Sequence, residues 1–587
     1  MIEERRGIDR NQIIGFALLA LMFFGYTYFF APEPEEEVAE TTIEQVESST
    51  AEPEADDQPI ADVTADPVAP QVDSTAQMAR EPKLYTLEND VLRYVFSDDG
   101  AQIVEVELKD YQTYEGKPLM IVDHQQSLTG ANEGFFDVSQ EGQTLTFSQN
   151  GNKWTYTLEE GYGLKWSLQA QADDALELTW RQKGLRFEKS FRNEVQYTTT
   201  RYWLNDEDDN DYLSQGRDDD ESEVNVGWVA HKQQYFSSIL TSDQGFNRAD
   251  MRTMAPMQSD STYTREFETK LTLVANQGLV SATGMWVHTP NQYYMLRDIN
   301  KEFTSIIPFG WGIFGWISKG VVVPFFHWLE SAGLGYGLII FIMALFFKVV
   351  LSPLTFASYR SMAKMRVLKP EMDAINEKYP EQGDPKKQQE VMALYQKTGV
   401  NPLGGCLPQL LGLPILIALF RFFPASFELR QEAFLWATDL SSYDSIFSLP
   451  FSIPFYGDHV SLFTILMAIS TFLYTRMNNQ MSAGAAGNNM MAQQMKIIQY
   501  FMPVMLLVWF NNYASGLSYY YFLSNLMVFG QQFIIRRFFL DEDALRAKIE
   551  ETKAKGGRKK SRFATRMQEA MEQQQETTGN RRMRRMK

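Results

Sequence analysis

The chain has 587 residues, 54 Lys and Arg against 74 Asp and Glu, and a formal charge of −20; its mean hydropathy is −0.29. As averages these describe a large acidic chain of several domains and exclude the basic surface of a nucleic-acid or DNA binder. A single cysteine, Cys406, excludes an intramolecular disulfide and a cysteine zinc cage, and five histidines leave little for metal chemistry, so no metal site is expected.

Along the chain the averages split. Residues 13–30 (IIGFALLALMFFGYTYFF) carry no charge and are long enough to span a bilayer. Arg5, Arg6 and Arg10 precede them and APEPEEE follows, so 1–30 reads as a cytoplasmic start plus a transmembrane anchor. A cleaved signal peptide competes, but no small-x-small cleavage site follows Phe30. Residues 31–82 are rich in Pro, Ala, Glu and Asp and predict a disordered acidic tether, because they bury too little surface to offset ordering entropy.

From 83 to 305 the pattern has period two, as in KWTYTLEEG and ALELTWRQ, with turn clusters such as Asn150-Gly151-Asn152 between the runs. This predicts one large antiparallel β-sandwich. The acidic stretch DEDDND at 206–211 reads as a solvated loop; a calcium site is the competing reading, but the EF-hand spacing is missing.

Residues 306–334 are aromatic, broken by Pro324 and charged at Lys319 and Glu330, which suits an amphipathic helix lying in the membrane interface. Spans are predicted at 335–354, 407–423, 461–474, 497–509 and 516–535, making six with the anchor. Lys and Arg number eight in 355–406, one in 424–460, two in 475–496 and sixteen in the tail 536–587. The basic connections therefore fall inside with both termini, while the β-domain and the 424–460 loop fall outside. Residues 31–310 alone hold 21 basic and 51 acidic residues, so the acidity belongs to the outer part.

No G-x-S-x-G, H-E-x-x-H or C-x-x-C is present. GVNPLG at 399–404 has the glycine spacing of a phosphate loop, but Gly405-Cys406 replaces the required Lys-Ser/Thr. Neither enzymatic chemistry nor a cofactor is expected. What remains are polar groups in apolar spans. Lys348, in FFKVVLSPL, faces either a protein interior or water-filled cavity, or snorkels to the cytoplasmic surface. Pro353 is expected to close its helix. Gln409 lies in the same half of the membrane. Tyr520, Tyr521 and Asn525 lie in the last span, with Tyr521 and Asn525 on one face; a tyrosine belt and ordinary interhelical hydrogen bonds are the alternatives.

The inside segment 355–406 carries Met362, Met365, Leu368, Met372, Ile375 and Tyr379 at helical spacing, then a PEQGDP break and a second helix through Val391, Leu394 and Tyr395. It predicts a helical hairpin whose Met stripe is either its own seam or an adaptable apolar surface for partners. The tail, with GGRKKSR and RRMRRMK, is solvated, membrane-bound or in contact with RNA phosphates.

SYRSMAKMRVLKPEMDAI, MALYQKTGVNPLGGCLPQLLGLPI, FELRQEAF and ASGLSYYYFLSNL closely resemble the YidC membrane-protein insertases of Gram-negative bacteria, over roughly residues 308–540. The resemblance implies an inner-membrane protein with a five-helix insertase core, an N-terminal anchor and a periplasmic β-supersandwich similar to sugar mutarotases but without catalysis. It implies that nascent membrane proteins are inserted and folded through a hydrophilic groove open to the cytoplasm, alone or with the Sec translocon. It places Lys348 where relatives usually carry arginine, and gives groove roles to Gln409, Tyr520, Tyr521 and Asn525. Gly412 stands where some relatives carry a polar amide. The hairpin, with Met362, Met365, Leu368 and Met372, would meet the signal-recognition-particle pathway, and the basic tail would meet the ribosome. Membrane lipids complete the expected partners. A secondary transporter or channel, or a membrane-anchored periplasmic chaperone, is the rival; a transporter would want internal repeats, and none is visible.

Overall fold

The computed structural model describes residues 80–256, 260–379, 385–400, 407–482 and 490–555. The predicted anchor, all but the last residues of the tether, the 380–384 break and the tail beyond 555 lie outside the described residues.

The period-two pattern folds as expected. Asn152–Leu158 buries Trp154, Tyr156 and Leu158, and the neighbouring Gly163–Gln171 buries Leu164, Trp166, Leu168 and Ala170. A four-stranded and a twelve-stranded antiparallel sheet result, enclosing an aromatic core that includes Tyr94, Phe96, Phe147, Trp180 and Trp286. The larger sheet forks at its longest strand, Phe236–Met254. Asp219–Lys232 pairs along one side of that strand. On the other side Leu279–Pro290 pairs with Phe236–Leu240, and Tyr263–Val274 pairs with Arg248–Met254. A cavity of about 670 Å³ opens at the fork, lined by Trp166, Trp228, Thr241 and Gly284 among others. The DEDDND stretch is not a plain loop: Asp209–Tyr212 forms an edge strand on Thr199–Leu204. Pairing gives those acidic residues a backbone ladder while their side chains stay largely in water.

His288 is fully buried in this core. Its Nδ1 lies 2.8 Å from the Tyr94 hydroxyl, and burial pushes the imidazole down to about 3. A depressed histidine stabilises the fold above its unfolded pKa of about 6.5, and that stability is lost as pH falls towards the folded value. The opening free energy of the Leu279–Pro290 amides, read by hydrogen exchange after division by the intrinsic rate at each pH, should therefore fall between pH 6.5 and 4 by up to about 1.4 kcal/mol per pH unit. The His288→Gln variant, which keeps an acceptor for Tyr94, should show a slope lower by one proton. Equal slopes would mean that His288 is not held neutral.

Helix α1 (Phe191–Tyr197) caps the sandwich, and α2 (Tyr293–Ile299) leads out of it. Next come α3 (Gly312–Ile317), a π turn (Ser318–Val322) and α4 (Val323–Ser331). These form the predicted amphipathic unit. Trp311, Trp316 and Trp328 are exposed, whereas Val322, Phe326 and Leu329 are buried. Pro324 sits in the first turn of α4, where its missing N–H costs least.

The remaining helices are α5 (Tyr336–Val367), α6 (Lys369–Lys378), α7 (Pro385–Thr398), α8 (Leu407–Ala425), α9 (Leu462–Ser482), α10 (Met490–Phe510), α11 (Ser515–Ile534) and α12 (Glu542–Ala554). On length and composition α5 is long and apolar enough to cross a membrane; shorter apolar stretches run Gly412–Ala425, Leu462–Met477 and Tyr500–Phe510. The six-span expectation is matched on that criterion by one described helix.

Two boundaries differ from the expectation. Pro353 does not end α5, which continues through it to Val367; packed neighbours allow a span to tolerate a proline, and Thr355 Oγ1 donates to the Leu351 carbonyl at 3.0 Å beside it. The first arm of the hairpin is consequently the C-terminal half of α5, and the chain turns at Leu368 into α6.

The Met stripe is a seam. Met362, Met365, Leu368 and Met372 are each at most 9% exposed. They pack with Tyr359, Tyr395 and Val400 and with Ile535 and Ile549 of the C-terminal segment. In this structure α12 lies over these four side chains, held by Arg366–Glu542 at 3.1 Å and Lys553–Glu371 at 2.5 Å, the arrangement of the seam alternative.

Candidate functional site

The site is built where α5, α8, α9 and α11 converge beneath the 424–460 loop. Gly337, at the N-terminal end of α5, lets that loop close down. A Cβ there would lie 2.0 Å from the Phe434 ring, so only glycine admits the ring against the helix backbone.

The end of the helices beneath this loop is sealed by polar groups that satisfy one another. Asp444, buried in the loop, accepts from the backbone N–H groups of Leu462 and Phe463 at 2.9 and 3.0 Å, from Ser461 Oγ at 2.5 Å and from Trp436 Nε1 at 2.9 Å. It thus neutralises the N-terminus of α9 with a carboxylate. Asn511, at the end of α10, accepts from Ser461 N at 3.0 Å and donates to the His459 and Tyr456 carbonyls at 2.8 and 2.9 Å. Thr464 of α9 and Ser518 of α11 join their hydroxyls at 3.1 Å. The N-terminus of α11 is satisfied by the loop, with Gly516 N donating to Leu440 O at 2.9 Å and Ser515 N to Ser442 O at 2.7 Å. An aromatic layer lies beneath: Tyr520 sits 5.4 Å from Phe423, Tyr519 5.0 Å from Phe434, and Tyr521 5.7 Å from Phe510.

Deeper in, the character changes. Asn525 donates to Ser470 Oγ at 3.0 Å and Thr471 Oγ1 at 2.9 Å, which ties α11 to α9. Gln531 Nε2 donates to the Lys348 carbonyl at 2.9 Å, and Gln532 Nε2 donates to the Tyr359 hydroxyl at 2.5 Å, which ties α11 to α5. The Lys348 side chain is half-buried, between the buried Phe347 and the exposed Val349. Among the described residues no acidic group lies within ion-pair distance of it. One turn on, a Cβ at Gly412 of α8 would lie 3.9 Å from Leu351 Cδ1, an ordinary packing contact between α8 and α5.

The predicted residues therefore occupy two layers. Lys348 lies twelve residues into α5, roughly 18 Å along its axis, whereas Tyr520 lies five residues into α11, roughly 8 Å. Tyr520 and Tyr521 belong to the closed aromatic layer and Lys348 to the polar one. Asn525 spends both amide donors on α9. Gln409 is on α8, but its side chain lies outside the described residues. The sequence reading missed Asp444, Ser461, Asn511, Gln531 and Gln532. Adjacent glutamines in the last apolar turns of a span were the available signal for the last two.

Comparison with known proteins is consistent across the chain. A family model described as 60Kd inner membrane protein matches residues 328–542, and one described as YidC periplasmic domain matches 84–200 and 194–323. The membrane protein insertase YidC of Parabacteroides distasonis is 34% identical, covering 97% of this chain and 98% of that protein. The one from Amoebophilus asiaticus is 33% identical, covering 96% and 98%. Among solved structures, an active YidC insertase crystal structure with the first transmembrane domain resolved is 20% identical, with a TM-score of 0.32 over 78% of this chain and 94% of that one. A putative aldose 1-epimerase from Escherichia coli K12 is 10% identical, with a TM-score of 0.25 over 36% of this chain and 100% of that one.

Proposed function

The chain belongs to the YidC membrane-protein insertases, and from that membership we propose a mechanism in which Lys348 receives the polar part of an incoming chain. The protein is an inner-membrane insertase whose substrates are nascent membrane proteins. The observation that carries the mechanism is the contrast in depth: the outer end is filled by a satisfied network around Asp444 and Asn511, while the cation below it has no acidic partner among the described residues.

An acidic or polar client segment enters from the cytoplasmic side and meets Lys348 partway across, which shortens the path its charge must travel through hydrocarbon. Gln531 and Asn525 hold α11 against α5 and α9 while the client's apolar segment partitions into lipid. The driving force is apolar transfer plus the membrane potential, worth about 2.3 kcal/mol per charge per 100 mV, and no nucleotide is consumed. The full topology in this reading has six spans, both termini cytoplasmic and the β-domain periplasmic, which the Lys and Arg distribution supports. Since the Met stripe is covered, contacts with the signal-recognition-particle pathway fall to the charged outer faces of α6 and α7, ribosome contact to the basic tail, and Sec cooperation to the membrane helices.

The test is depletion of the endogenous insertase followed by protease protection of short acidic membrane proteins. The full chain should restore their protection. A chain lacking 84–290 but keeping the helices should restore a substantial part of it. A truncated chain that is membrane-integrated yet wholly inactive would overturn the assignment of the activity to the helices.

A further inference from the structure

The 424–460 loop contains an element that the insertion mechanism does not use. Phe447–Ile453 and Gly457–Val460 form an antiparallel hairpin, with Phe447 opposite Val460 and Ser448 opposite His459. Its base is built into the membrane core. His459 is buried, and its Nε2 lies 2.8 Å from the Asn511 carbonyl. Asn512 donates to the Tyr456 carbonyl at 2.9 Å, and Ser461, immediately after the hairpin, directly precedes α9. The hairpin thus leaves the protein at the level where α8 ends, α9 starts and α10 ends.

Its outer part has the opposite character. Ile446 to Tyr456 reads IFSLPFSIPFY, eleven residues without a charge, in the outer part of a chain that is otherwise strongly acidic. Phe447, Phe451 and Phe455 are 60%, 60% and 71% exposed, and Ile453 is exposed beside them. Both faces of Phe447–Ile453 are bare, since only Leu449 is even half-covered. Phe455 is held at φ +67°, a conformation an aromatic residue rarely adopts, which presents its ring at the tip. A rigidly mounted hairpin with apolar side chains on both faces is an aggregation hazard in water.

From this placement we infer that the 446–456 hairpin is a lipid-inserting wedge: its phenylalanines enter the outer leaflet beside the helix ends, at the depth that aromatic side chains favour at a membrane interface. Lipid is the occupant because the hairpin is continuous in the chain with α9 and is clamped to the ends of the apolar helices, and because an uncharged aromatic tip fits the headgroup boundary. The inference rests on the topology proposed above only for the leaflet, and not for contact with lipid.

The test uses the full chain with Cys406→Ser and a single cysteine at Phe451, or in a second variant at Phe447, carrying a polarity-sensitive fluorophore. The protein is placed at one copy per nanodisc of phosphatidylethanolamine and phosphatidylglycerol. Emission should be blue-shifted and should be quenched by lipids spin-labelled near the headgroup several-fold more strongly than a label at Val224, an exposed position on the β-domain. Water-like emission would overturn the inference. A blue-shifted label that the lipids do not quench would also overturn it, because protein would then cover the tip. Reaction of an Asp458→Cys variant with an impermeant thiol reagent in spheroplasts reads the leaflet separately, so a wrong topology and an absent lipid contact give different results.

Discussion

Lys348→Glu is expected to abolish insertion of short acidic clients, while Lys348→Arg supports it. A carboxylate about 5 Å from the ammonium gains about 3 kcal/mol at an effective dielectric of about 20, and reversing the sign turns that attraction into repulsion of similar size. At about 1.4 kcal/mol per tenfold, loss of the attraction alone gives roughly a hundredfold slower insertion, and the reversal gives more. Arginine keeps the charge and adds a planar fork, so it should equal or exceed lysine; it fails only if the extra bulk cannot be seated. Lys348→Gln should fall between, with acidic clients slowed and a client lacking acidic residues unaffected. The measurement is protease protection of paired acidic and neutral clients after depletion of the endogenous insertase. Full activity of Lys348→Glu on acidic clients would sink the charge-attraction account and leave Lys348 as a residue that merely reaches the surface.

The residues that were legible in the sequence are those whose signal is local. Alternation is a property of five to ten consecutive residues, so strands such as Asn152–Leu158 and Gly163–Gln171 were readable with their buried faces. Lys348 stands out because a charge in an apolar run needs no context to be anomalous. The outer seal was invisible for the opposite reason. Asp444, Ser461, Asn511 and Ser518 are spread over some seventy positions, and each one alone is an ordinary polar residue. Only the return of α10 and α11 to the same end brings them together. Pro353 misled because its effect depends on neighbours that relieve it. The Met stripe was read correctly as an apolar helical face, but its cover, Ile535 and Ile549, begins more than 160 residues downstream, beyond the reach of any periodicity argument.

The largest stability effect is expected at the junction of the two domains, from Arg430→Ala. Arg430 Nε bonds Glu188 Oε1 at 2.7 Å with both side chains under 10% exposed. Its second arm donates to the Gln112 carbonyl at 2.6 Å, and its guanidinium lies over the Phe236 ring. Glu194, buried alongside, accepts from the backbone N–H groups of Phe187 and Glu188 at 2.8 and 3.2 Å. Burial pushes both carboxyls up, with Arg430 pulling Glu188 back and the neighbouring Glu188 charge raising Glu194 further. Removing Arg430 therefore strands a carboxylate in an apolar junction, which costs about 3–5 kcal/mol and should release the β-domain from the 424–460 loop. Limited proteolysis of that loop and thermal unfolding in detergent would read the loss. The pH dependence has a definite sign. Without Arg430 the folded-state pKa of Glu188 lies further above its unfolded value, so the variant's stability is fully present below about pH 4.5 and is lost as pH rises towards the folded value. The deficit against wild type should thus be smallest near pH 4.5 and grow towards neutrality. The double replacement Arg430→Met with Glu188→Leu removes both charges together and should recover most of the loss, since a buried pair exchanged for apolar groups of similar size is often neutral or stabilising. A double variant as unstable as Arg430→Ala would show that the bond to Gln112, and not the stranded carboxylate, holds the junction closed.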